Sequence, residues 1–595
     1  MRHGSRARRG RIRVVVIDAA SVDASATRSP PEPLVHSGMA LTWEDVEPRV
    51  RELLDADLAP ADVPAWLERR DALERDVGEA YAALARARHE DTADTDARDA
   101  YLRFVREVSP HLAEAADAID KKLVAVDGYE PPAELRVWWR NVRDDIAVYH
   151  PDNVPLATRE SELAQRFDEL MGGVRAEVEG ESLTLMQARR ILESTDRDRR
   201  ERAWRAIQAG LERVRPDLDA LFLELVALRQ TMARNTGFDD YRAYVWRARH
   251  RHEYTPEDAL ALHDSMRAAA VPALRALHDD RRERLGVDAL RPWDLDVDPD
   301  GAEPLAPFGD VAELERGLVR MFEALDPALA RRFERLREGW LDLEARPNKV
   351  PGLGYQEYFP RSRSPYVYWS ALGTDDDVVA MRHEAGHAFH SLLTDERWPL
   401  MVQMANRPES AELASQSLEL LTLPYLTRER GGFYDERDAR RSTRAQLERM
   451  IGLWVRTSAG DAIQHWIYSQ DPDTLTSEAI DEAWVRITGE LGGDIDWTGL
   501  ERERAKGWHI IHVFVIPFYF LEYGIAYLGA AQVWRNALHD HAAALAAYQR
   551  FLSLGGTVPL DEAYEAAGAR FAFDEATVRE LVDFTMARWR EVAPD

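Results

Sequence analysis

The chain has 595 residues, of which 45% are hydrophobic, with a formal net charge of −29 and no cysteine. A chain of this length and composition can bury large cores, so it predicts a folded globular protein. The negative charge argues against nucleic acid as a partner, because phosphate binding needs clustered positive charge. Without cysteine there can be no disulfide, and any metal must be held by His, Asp and Glu.

The first 38 residues are predicted to be a flexible N-terminal extension. They are rich in Pro and Ser, and their apolar run, 14–17, is too short for the core of a signal peptide. Met39 opens a stretch typical of a folded region. We therefore expect the folded part to begin near residue 39 and the protein to be cytoplasmic.

Helical patterns dominate the rest of the chain. The segments 62–90 and 188–214 carry apolar residues at spacings of three and four, with charges between them. Pro- and Gly-rich breaks lie at 126–134, 291–309 and 346–365. The only convincing strand is the alternating, aromatic-rich 365–372. The sequence thus predicts a mostly α protein with a small β-element.

The strongest chemical signal is "MRHEAGHAFH", residues 381–390. Residues four apart share a helix face, so His383 and His387 can point at one spot, with Glu384 beside it. Two imidazoles and a flanking carboxylate are typical of a hydrolytic zinc site. Gly386 weakens a helix by about 1 kcal/mol relative to Ala. Close approach of another backbone, or of substrate, would explain it.

A catalytic zinc needs a third protein ligand. The next helical segment, "NRPESAELASQSLELL", begins at Asn406 and has Pro408 in its first turn. Glu412 and Glu419 are seven residues apart and so lie on one helix face. Glu409 is a neighbouring alternative.

The segment 512–534 is long enough to span a membrane, but His512, Pro517, Glu522 and Gln532 interrupt it. A buried helix near a polar site is the better interpretation. After Pro517, a helix would place Tyr519, Tyr523 and Tyr527 on one face. Such a stripe is more often core packing than a functional feature.

"HEAGHAFH" followed by "ELASQSLE" resembles the oligoendopeptidase F and thimet-type oligopeptidase family of zinc metallopeptidases. Glu412 lies 25 positions after His387, which is the family spacing. The resemblance implies that His383, His387 and Glu412 bind one Zn²⁺ per chain, with Glu384 as the general base. It covers most of 190–595, whereas 39–190 match only in being helical.

The resemblance also implies roles outside the zinc motif. His512 and Tyr523 would stabilise the transition state, with Tyr519 and Tyr527 as the alternatives to Tyr523. Glu419 and His390 would orient the metal ligands, although His390 could equally be an ordinary core histidine. The thimet branch has a glycine-rich flexible loop near 512–520 that this chain lacks, so the choice among the tyrosines stays open.

The expected fold is a large multi-helix, clam-like or channelled body with the small β-element beside the HExxH helix. Residues 39–240 would be a helical region walling the substrate cleft, and 241–595 the catalytic region. The expected function is zinc-dependent hydrolysis of short unfolded oligopeptides, with no nucleic-acid or membrane partner and an undetermined oligomeric state. The alternatives are a dicarboxypeptidase of the angiotensin-converting-enzyme type, and a non-catalytic helical peptide-binding protein with a structural metal.

Overall fold

Helices form most of the computed structural model, which describes residues 41–346, 348–350 and 353–592. The predicted extension, 1–38, lies outside these residues. The helices before the zinc motif are α1 (Trp43–Asp55), α2 (Val63–Glu90), α3 (Thr95–Arg103), α4 (Ser109–Val124), α5 (Arg136–Val148), α6 (Asn153–Gly172), α7 (Leu185–Arg190), α8 (Arg197–Glu212), α9 (Arg215–Asn235), α10 (Tyr241–Ala248), α11 (Pro256–Leu285), α12 (Val311–Leu325) and α13 (Pro327–Leu336).

The zinc motif lies in the next helix, α14, and in the described part of the chain nine further helices follow it. Their bounds are α14 (Asp375–Arg397), α15 (Pro408–Leu421), α16 (Glu436–Ile467), α17 (Ser477–Glu490), α18 (Glu501–Ala505), α19 (Ile511–Phe514), α20 (Phe520–His539), α21 (His541–Leu552), α22 (Leu560–Ala566) and α23 (Glu575–Glu591). The prediction of a mostly α fold is confirmed.

Within the described ranges, two small sheets accompany the helices. One is the antiparallel pair β1 (Arg175–Val178) and β2 (Glu181–Thr184). The other contains β3 (Leu341–Glu344), β4 (Tyr355–Phe359) and β5 (Ser364–Ala371) in the order β3–β5–β4. The predicted strand at 365–372 corresponds to β5. The prediction that 365–372 is the only strand was wrong, because β4, for example, lies within the predicted break 346–365 and pairs antiparallel with β5.

The predicted helical segment 188–214 is interrupted. α7 and a short 3₁₀ turn end at Glu193, and α8 starts anew with Asp196 as its N-cap. The Asp196 carboxylate accepts hydrogen bonds from the backbone N–H groups of Asp198 and Arg199, at 3.0 and 3.2 Å. A short acidic side chain in this place competes with helix continuation and favours a new helix start.

The main hydrophobic core joins both predicted regions. Its buried residues run from Leu163 to Trp589. Phe222 of α9 and Phe514 of α19, for example, pack with ring centroids 4.7 Å apart. A separate cluster between Val46 and Val142 holds the first helices together. The boundary at residue 240 stays a prediction.

The apolar segment 512–534 forms α19, a short connection and α20. Most of α20 is buried, including the ionisable Glu522. Across the described ranges, no helix combines the length and apolar character needed to cross a membrane. The interpretation as a buried helix is therefore confirmed, and α20 packs against both α15 and α16.

Candidate metal and catalytic site

The helix that carries the zinc motif begins with a well-formed cap beside the sheet. The Thr374 hydroxyl accepts the Asp377 N–H, and the Asp377 carboxylate accepts the Thr374 N–H at 2.7 Å. The same carboxylate accepts the indole N–H of Trp369, in β5, at 2.8 Å. This capping box fixes the start of α14 and ties it to the sheet. The small β-element thus lies next to the motif helix, as predicted.

Gly386 lets α14 and α15 approach closely. A β-carbon at this position would lie 2.5 Å from the Ser415 Cα and 2.8 Å from the Ala414 carbonyl oxygen. Any larger residue would push the two helices apart. The prediction that another backbone approaches Gly386 is confirmed, and the approach brings Glu412 of α15 to the two histidines of α14.

The three predicted metal ligands lie close together. His383 Nε2 lies 3.2 Å from His387 Nε2 and 3.2 Å from Glu412 Oε2, and His387 Nε2 lies 3.7 Å from Glu412 Oε2. Donor atoms bound to one tetrahedral zinc would be about 3.3–3.4 Å apart, given metal–ligand distances near 2.1 Å. Two imidazoles and a carboxylate at this spacing therefore fit a zinc ion. Among the described residues, these three form the group with ligand atoms mutually within 4.8 Å.

A buried network orients His383 from behind. Its Nδ1 lies 2.7 Å from Glu419 Oε1, while Glu419 Oε2 accepts hydrogen bonds from Gln446 Nε2 at 2.8 Å and the Tyr527 hydroxyl at 2.6 Å. Arg382 donates to the Gln446 side-chain oxygen at 2.8 Å. A carboxylate on the far nitrogen leaves Nε2 of the imidazole to face a metal. The sequence predicted Glu419 here but gave no signal for Gln446 or Arg382.

The tyrosine stripe of α20 divides into two kinds of contact. The Tyr519 hydroxyl donates to Glu412 Oε1 at 2.8 Å, and the Tyr527 hydroxyl donates to Glu419. Tyr519 and Tyr527 therefore hold the two glutamates that face the histidines. The Tyr523 hydroxyl, between them, makes no hydrogen bond within the described ranges. Its pKa is raised well above the usual value by burial and by the charges of Glu412 and Glu384, so it stays protonated.

Glu384 is a buried carboxylate at the edge of the site. It is 6% exposed, and its Oε2 has no hydrogen-bond partner among the described residues. Burial raises the pKa of Glu384 to about 7. A β-carbon at Gly354, just before β4, would lie 3.7 Å from Glu384 Oε1 and would clash with the Trp369 ring. The backbone before β4 therefore runs beside this carboxylate.

His512 lies next to Tyr523. The two rings meet edge to face, with centroids 5.5 Å apart, and His512 stacks on Phe520 at 4.3 Å. Burial and the nearby Arg456 lower the pKa of His512 to about 4. The imidazole is therefore neutral near pH 7, with one N–H available to donate.

His383, His387 and Glu412, which we call the metal trio, affect one another's pKa values. Burial opposes ionisation of Glu412, but His387 and His383 outweigh it and lower the pKa of Glu412 to about 2. Burial lowers the pKa of His387 to about 4. Burial disfavours the charged form of His383, but hydrogen bonds that its ring donates to the Glu412 and Glu419 carboxylates outweigh burial and raise its pKa well above the usual value. A buried glutamate held ionised between two imidazoles is an electrostatic environment suited to a divalent cation.

Two other predicted residues lie away from this centre. Both ring nitrogens of His390 lack hydrogen-bond partners among the described residues, and the ring packs 5.3 Å from that of Phe551. The expected orienting role of His390 therefore has no contact to support it. Glu409 accepts the Tyr254 hydroxyl at 2.5 Å and lies 3.7 Å from Arg251. It faces that arginine and not the histidines.

Comparison with known proteins agrees with this geometry. Residues 190–583 match peptidase family M3. Because the match spans more than half of the chain, the chain belongs to peptidase family M3. The plasmid-encoded oligoendopeptidase F of Lactococcus lactis subsp. cremoris is 22% identical over 383 residues. The predicted resemblance to the oligoendopeptidase F family is confirmed.

Solved structures extend the similarity to almost the whole fold. PZ peptidase A with inhibitor 2 superposes with a TM-score of 0.87 at 23% identity, covering 93% of this chain and 98% of that one. An X-ray structure of a provisionally assigned oligoendopeptidase F gives 0.86 at 25% identity, with the same coverage. The match to the Lactococcus protein covers 62% of this chain and about 60% of that relative's length.

Proposed function

We propose that this chain is a zinc-dependent endopeptidase that hydrolyses short, unfolded oligopeptides. The observation that carries the proposal is the convergence of His383, His387 and Glu412 beside the buried carboxylate of Glu384. A site that only held a structural metal would not need a buried carboxylate without a hydrogen-bond partner at its edge. Membership of a peptidase family supports the same conclusion.

Three residues would hold the metal and a fourth would move protons. His383, His387 and Glu412 supply two nitrogens and one oxygen, which leaves an open position, as in catalytic zinc sites. A bound zinc ion would act as a Lewis acid toward the scissile carbonyl and would activate water. Glu384 would accept the proton of the attacking water and pass it to the leaving amine.

Tyr523 and His512 would stabilise the oxyanion. A phenol that stays protonated and a neutral imidazole are both hydrogen-bond donors, and their rings are in contact, with Tyr523 close enough to Glu412 and Glu384 for their charges to raise its pKa. Donors fixed on a helix in a partly dry site need little reorganisation as charge develops on the substrate. Tyr519 is assigned a different role from the one first predicted, because its hydroxyl already binds Glu412.

The sheet offers a way to align a peptide. β4 is an edge strand, and among the described residues it pairs only with β5. Its N-terminal end follows Gly354, whose backbone lies beside the Glu384 carboxylate. An extended peptide can add to such an edge through main-chain hydrogen bonds, which is independent of side-chain identity. This favours unfolded peptides as substrates.

The experiment that tests this function combines metal analysis with a quenched fluorescent peptide blocked at both ends. We expect about one zinc per chain, internal cleavage, loss of cleavage after chelation, and recovery on adding zinc. Release of dipeptides from free C-termini alone would favour the dicarboxypeptidase. Bound metal and bound peptide without cleavage would favour the non-catalytic alternative.

Tyr523→Phe tests the oxyanion role. Removing one hydroxyl should lower kcat by about 10²–10³, or roughly 3–4 kcal/mol, if that hydroxyl contacts the developing charge. KM should change far less, because the interaction forms mainly in the transition state. Steady-state kinetics on one peptide, with zinc content and thermal stability measured in parallel, checks this.

Tyr527→Phe is the matched control. It also removes one phenol hydroxyl from α20, but this hydroxyl contacts Glu419 and not the reacting atoms. We expect it to weaken zinc binding modestly and to leave kcat of the zinc-loaded enzyme closer to the parent's value. Full activity in Tyr523→Phe would remove Tyr523 from the oxyanion role, and full activity in the Tyr519, Tyr523 and Tyr527 variants alike would mean that the stripe is only packing.

Substrate size forms a separate prediction. Because an enclosed site would admit an unfolded chain but not a globular surface, peptides of about 5–20 residues should be cleaved while folded proteins stay intact. Mass spectrometry of a mixture that contains one peptide both free and embedded in a native protein checks this. Rapid digestion of the native protein would contradict an enclosed site.

A further inference from the structure

The connection between α19 and α20 holds an unusual backbone conformation. It links His512 on one side to Tyr519 and Tyr523 on the other, and at its centre Phe518 has a φ of +59°. This left-handed region is costly for a residue with a bulky β-carbon substituent. Such conformations persist only where the surroundings hold them in place, and they are frequent at functional sites.

Three arginines bind carbonyl groups in this connection and at the end of α19, just before it. Arg229 donates to the Phe514 carbonyl at 2.5 Å, Arg249 donates to the Pro517 carbonyl at 3.0 Å, and Arg251 donates to the Phe518 carbonyl. We call Arg229, Arg249 and Arg251 the arginine clamp. All three come from α9 and the segment after α10, more than 250 residues earlier in the chain.

The other side of the strained residue is held as well. The N–H of Phe518 donates to the side-chain oxygen of Gln464, in α16, at 2.7 Å. Both backbone polar groups of Phe518 are therefore bound by side chains from other elements. Since Phe518 is fully buried, water cannot replace either contact.

The clamp arginines are themselves fixed. Arg229 is fully buried and also donates to Glu160 Oε1, at 2.7 Å, and Arg251 is 6% exposed and also donates to Glu522. A guanidinium has five donors in one plane, so it can satisfy a carboxylate and a carbonyl at the same time. The guanidinium of Arg249 additionally lies over the Tyr519 ring, 5.6 Å from its centre.

We propose that the arginine clamp positions the transition-state donors by fixing the backbone between α19 and α20. None of its members is a ligand of the predicted metal or a partner of Glu384. Their effect passes through Phe518, which immediately precedes Tyr519 and lies five residues before Tyr523. This proposal rests on the function proposed above. The connection contains no glycine, which already limits its backbone freedom, and the arginines restrict it further.

Two variants release the clamp in different ways. Arg249→Met removes the bond to Pro517 and the contact with the Tyr519 ring, at a position that is only partly buried. The pair Arg251→Met with Glu522→Gln removes the bond to Phe518 and the charge of Glu522, while Glu409 keeps its hydrogen bond from the Tyr254 hydroxyl. The control is Arg200→Met, because Arg200 is 2% exposed and also donates to backbone carbonyls, those of Ser194 and Trp293, far along the chain from the connection.

The first readout is independent of catalysis. Amide hydrogen exchange, followed by mass spectrometry of peptides that cover 511–523, should become faster in both clamp variants and stay at the parent's rate in Arg200→Met. The second readout is kinetic. We expect kcat to fall by about 10- to 100-fold with little change in KM or zinc content, since a misplacement near 1 Å has that effect.

Coupling to the tyrosines separates positioning from general damage. In a Tyr523→Phe background, Arg249→Met should lower kcat by a smaller factor than it does in the parent, because the donor hydroxyl that it positions is gone. Unchanged exchange at 511–523 in both clamp variants overturns the clamp, whether or not the chain cleaves peptides. Faster exchange with an unchanged kcat, or an undiminished effect in the Tyr523→Phe background, overturns the positioning role. A parent that cleaves no peptide refutes the proposed function, while exchange still decides whether the arginines hold the segment.

Discussion

Replacing Glu384 by Gln is expected to remove peptide hydrolysis while the metal stays bound. Glu384 faces the trio but supplies none of its ligand atoms, so an amide of the same shape leaves His383, His387 and Glu412 in place. The amide has almost no basicity, and general acid–base groups contribute about 10²–10⁴-fold. We expect a loss of kcat/KM at the upper end of this range, because Glu384 would serve both the attack and the departure of the amine.

This variant also has a clear structural expectation. The Oε2 atom of Glu384 has no partner within the described ranges, so the change to an amide breaks no hydrogen bond there. Burying a neutral amide costs no more than burying a carboxylate. Thermal stability should therefore equal or exceed that of the parent.

Glu396→Gln is the matched control. Glu396 lies in the same helix, is exposed, and pairs with Arg332 on the surface. Zinc content by elemental analysis and cleavage of the same quenched peptide should be unchanged in it. Near-normal turnover by Glu384→Gln would remove Glu384 from its assigned role, and loss of zinc in that variant would mean that it is a ligand.

The convergence of His383 and His387 could be predicted from the sequence, because helical geometry places residues four apart on one face. His383 and His387 are one helical turn apart, and Glu412 follows at a spacing that the family resemblance supplied. The contacts of Tyr519 and Tyr527 could not be predicted from the sequence alone. Their spacing of eight residues matches the seven between Glu412 and Glu419, but only the packing of α20 on α15 shows that the two pairs meet.

Other parts of the site depend on contacts between distant segments. Gln446 reaches Glu419 because α16 crosses behind the motif helix, and nothing in its local sequence marks it. The strand β4 is short and flanked by Gly and Pro residues, so its own pattern is that of a loop. Its extended conformation follows from pairing with β5, which tertiary structure provides.

The clamp arginines could not be recognised from the sequence either. They are three of 77 Lys and Arg residues, and nothing in their local sequence marks them. Only their shared targets, the carbonyls around Phe518, distinguish them from the many arginines that pair on helix surfaces. The sequence shows that this chain lacks the glycine-rich loop. It does not show that arginines hold the backbone of the segment at the same place.

Replacing Glu412 by Ala is expected to abolish zinc binding and, with it, activity. The variant removes the one anionic ligand of the trio and leaves two imidazoles, which is too few for a stable protein zinc site. It also leaves the Tyr519 hydroxyl without its acceptor. Loss of a residue that only orients a ligand, such as Glu419, lowers metal affinity by about 10–100-fold. Loss of the ligand Glu412 itself should lower the zinc affinity by more than that.

Glu409→Ala provides the comparison within the same helix. Glu409 is equally buried but accepts a hydrogen bond from Tyr254, and Arg251 keeps its second carboxylate partner, Glu522, when Glu409 is lost. This variant should retain zinc at the parent's stoichiometry, although its stability will fall. Elemental analysis after dialysis against a weak chelator, with thermal unfolding measured with and without added zinc, distinguishes the two. Because only a zinc ligand links stability to the metal, added zinc should stabilise the parent and Glu409→Ala but not Glu412→Ala. The reverse pattern would transfer the third ligand to Glu409 and would require α15 to rotate relative to α14, against the close approach at Gly386.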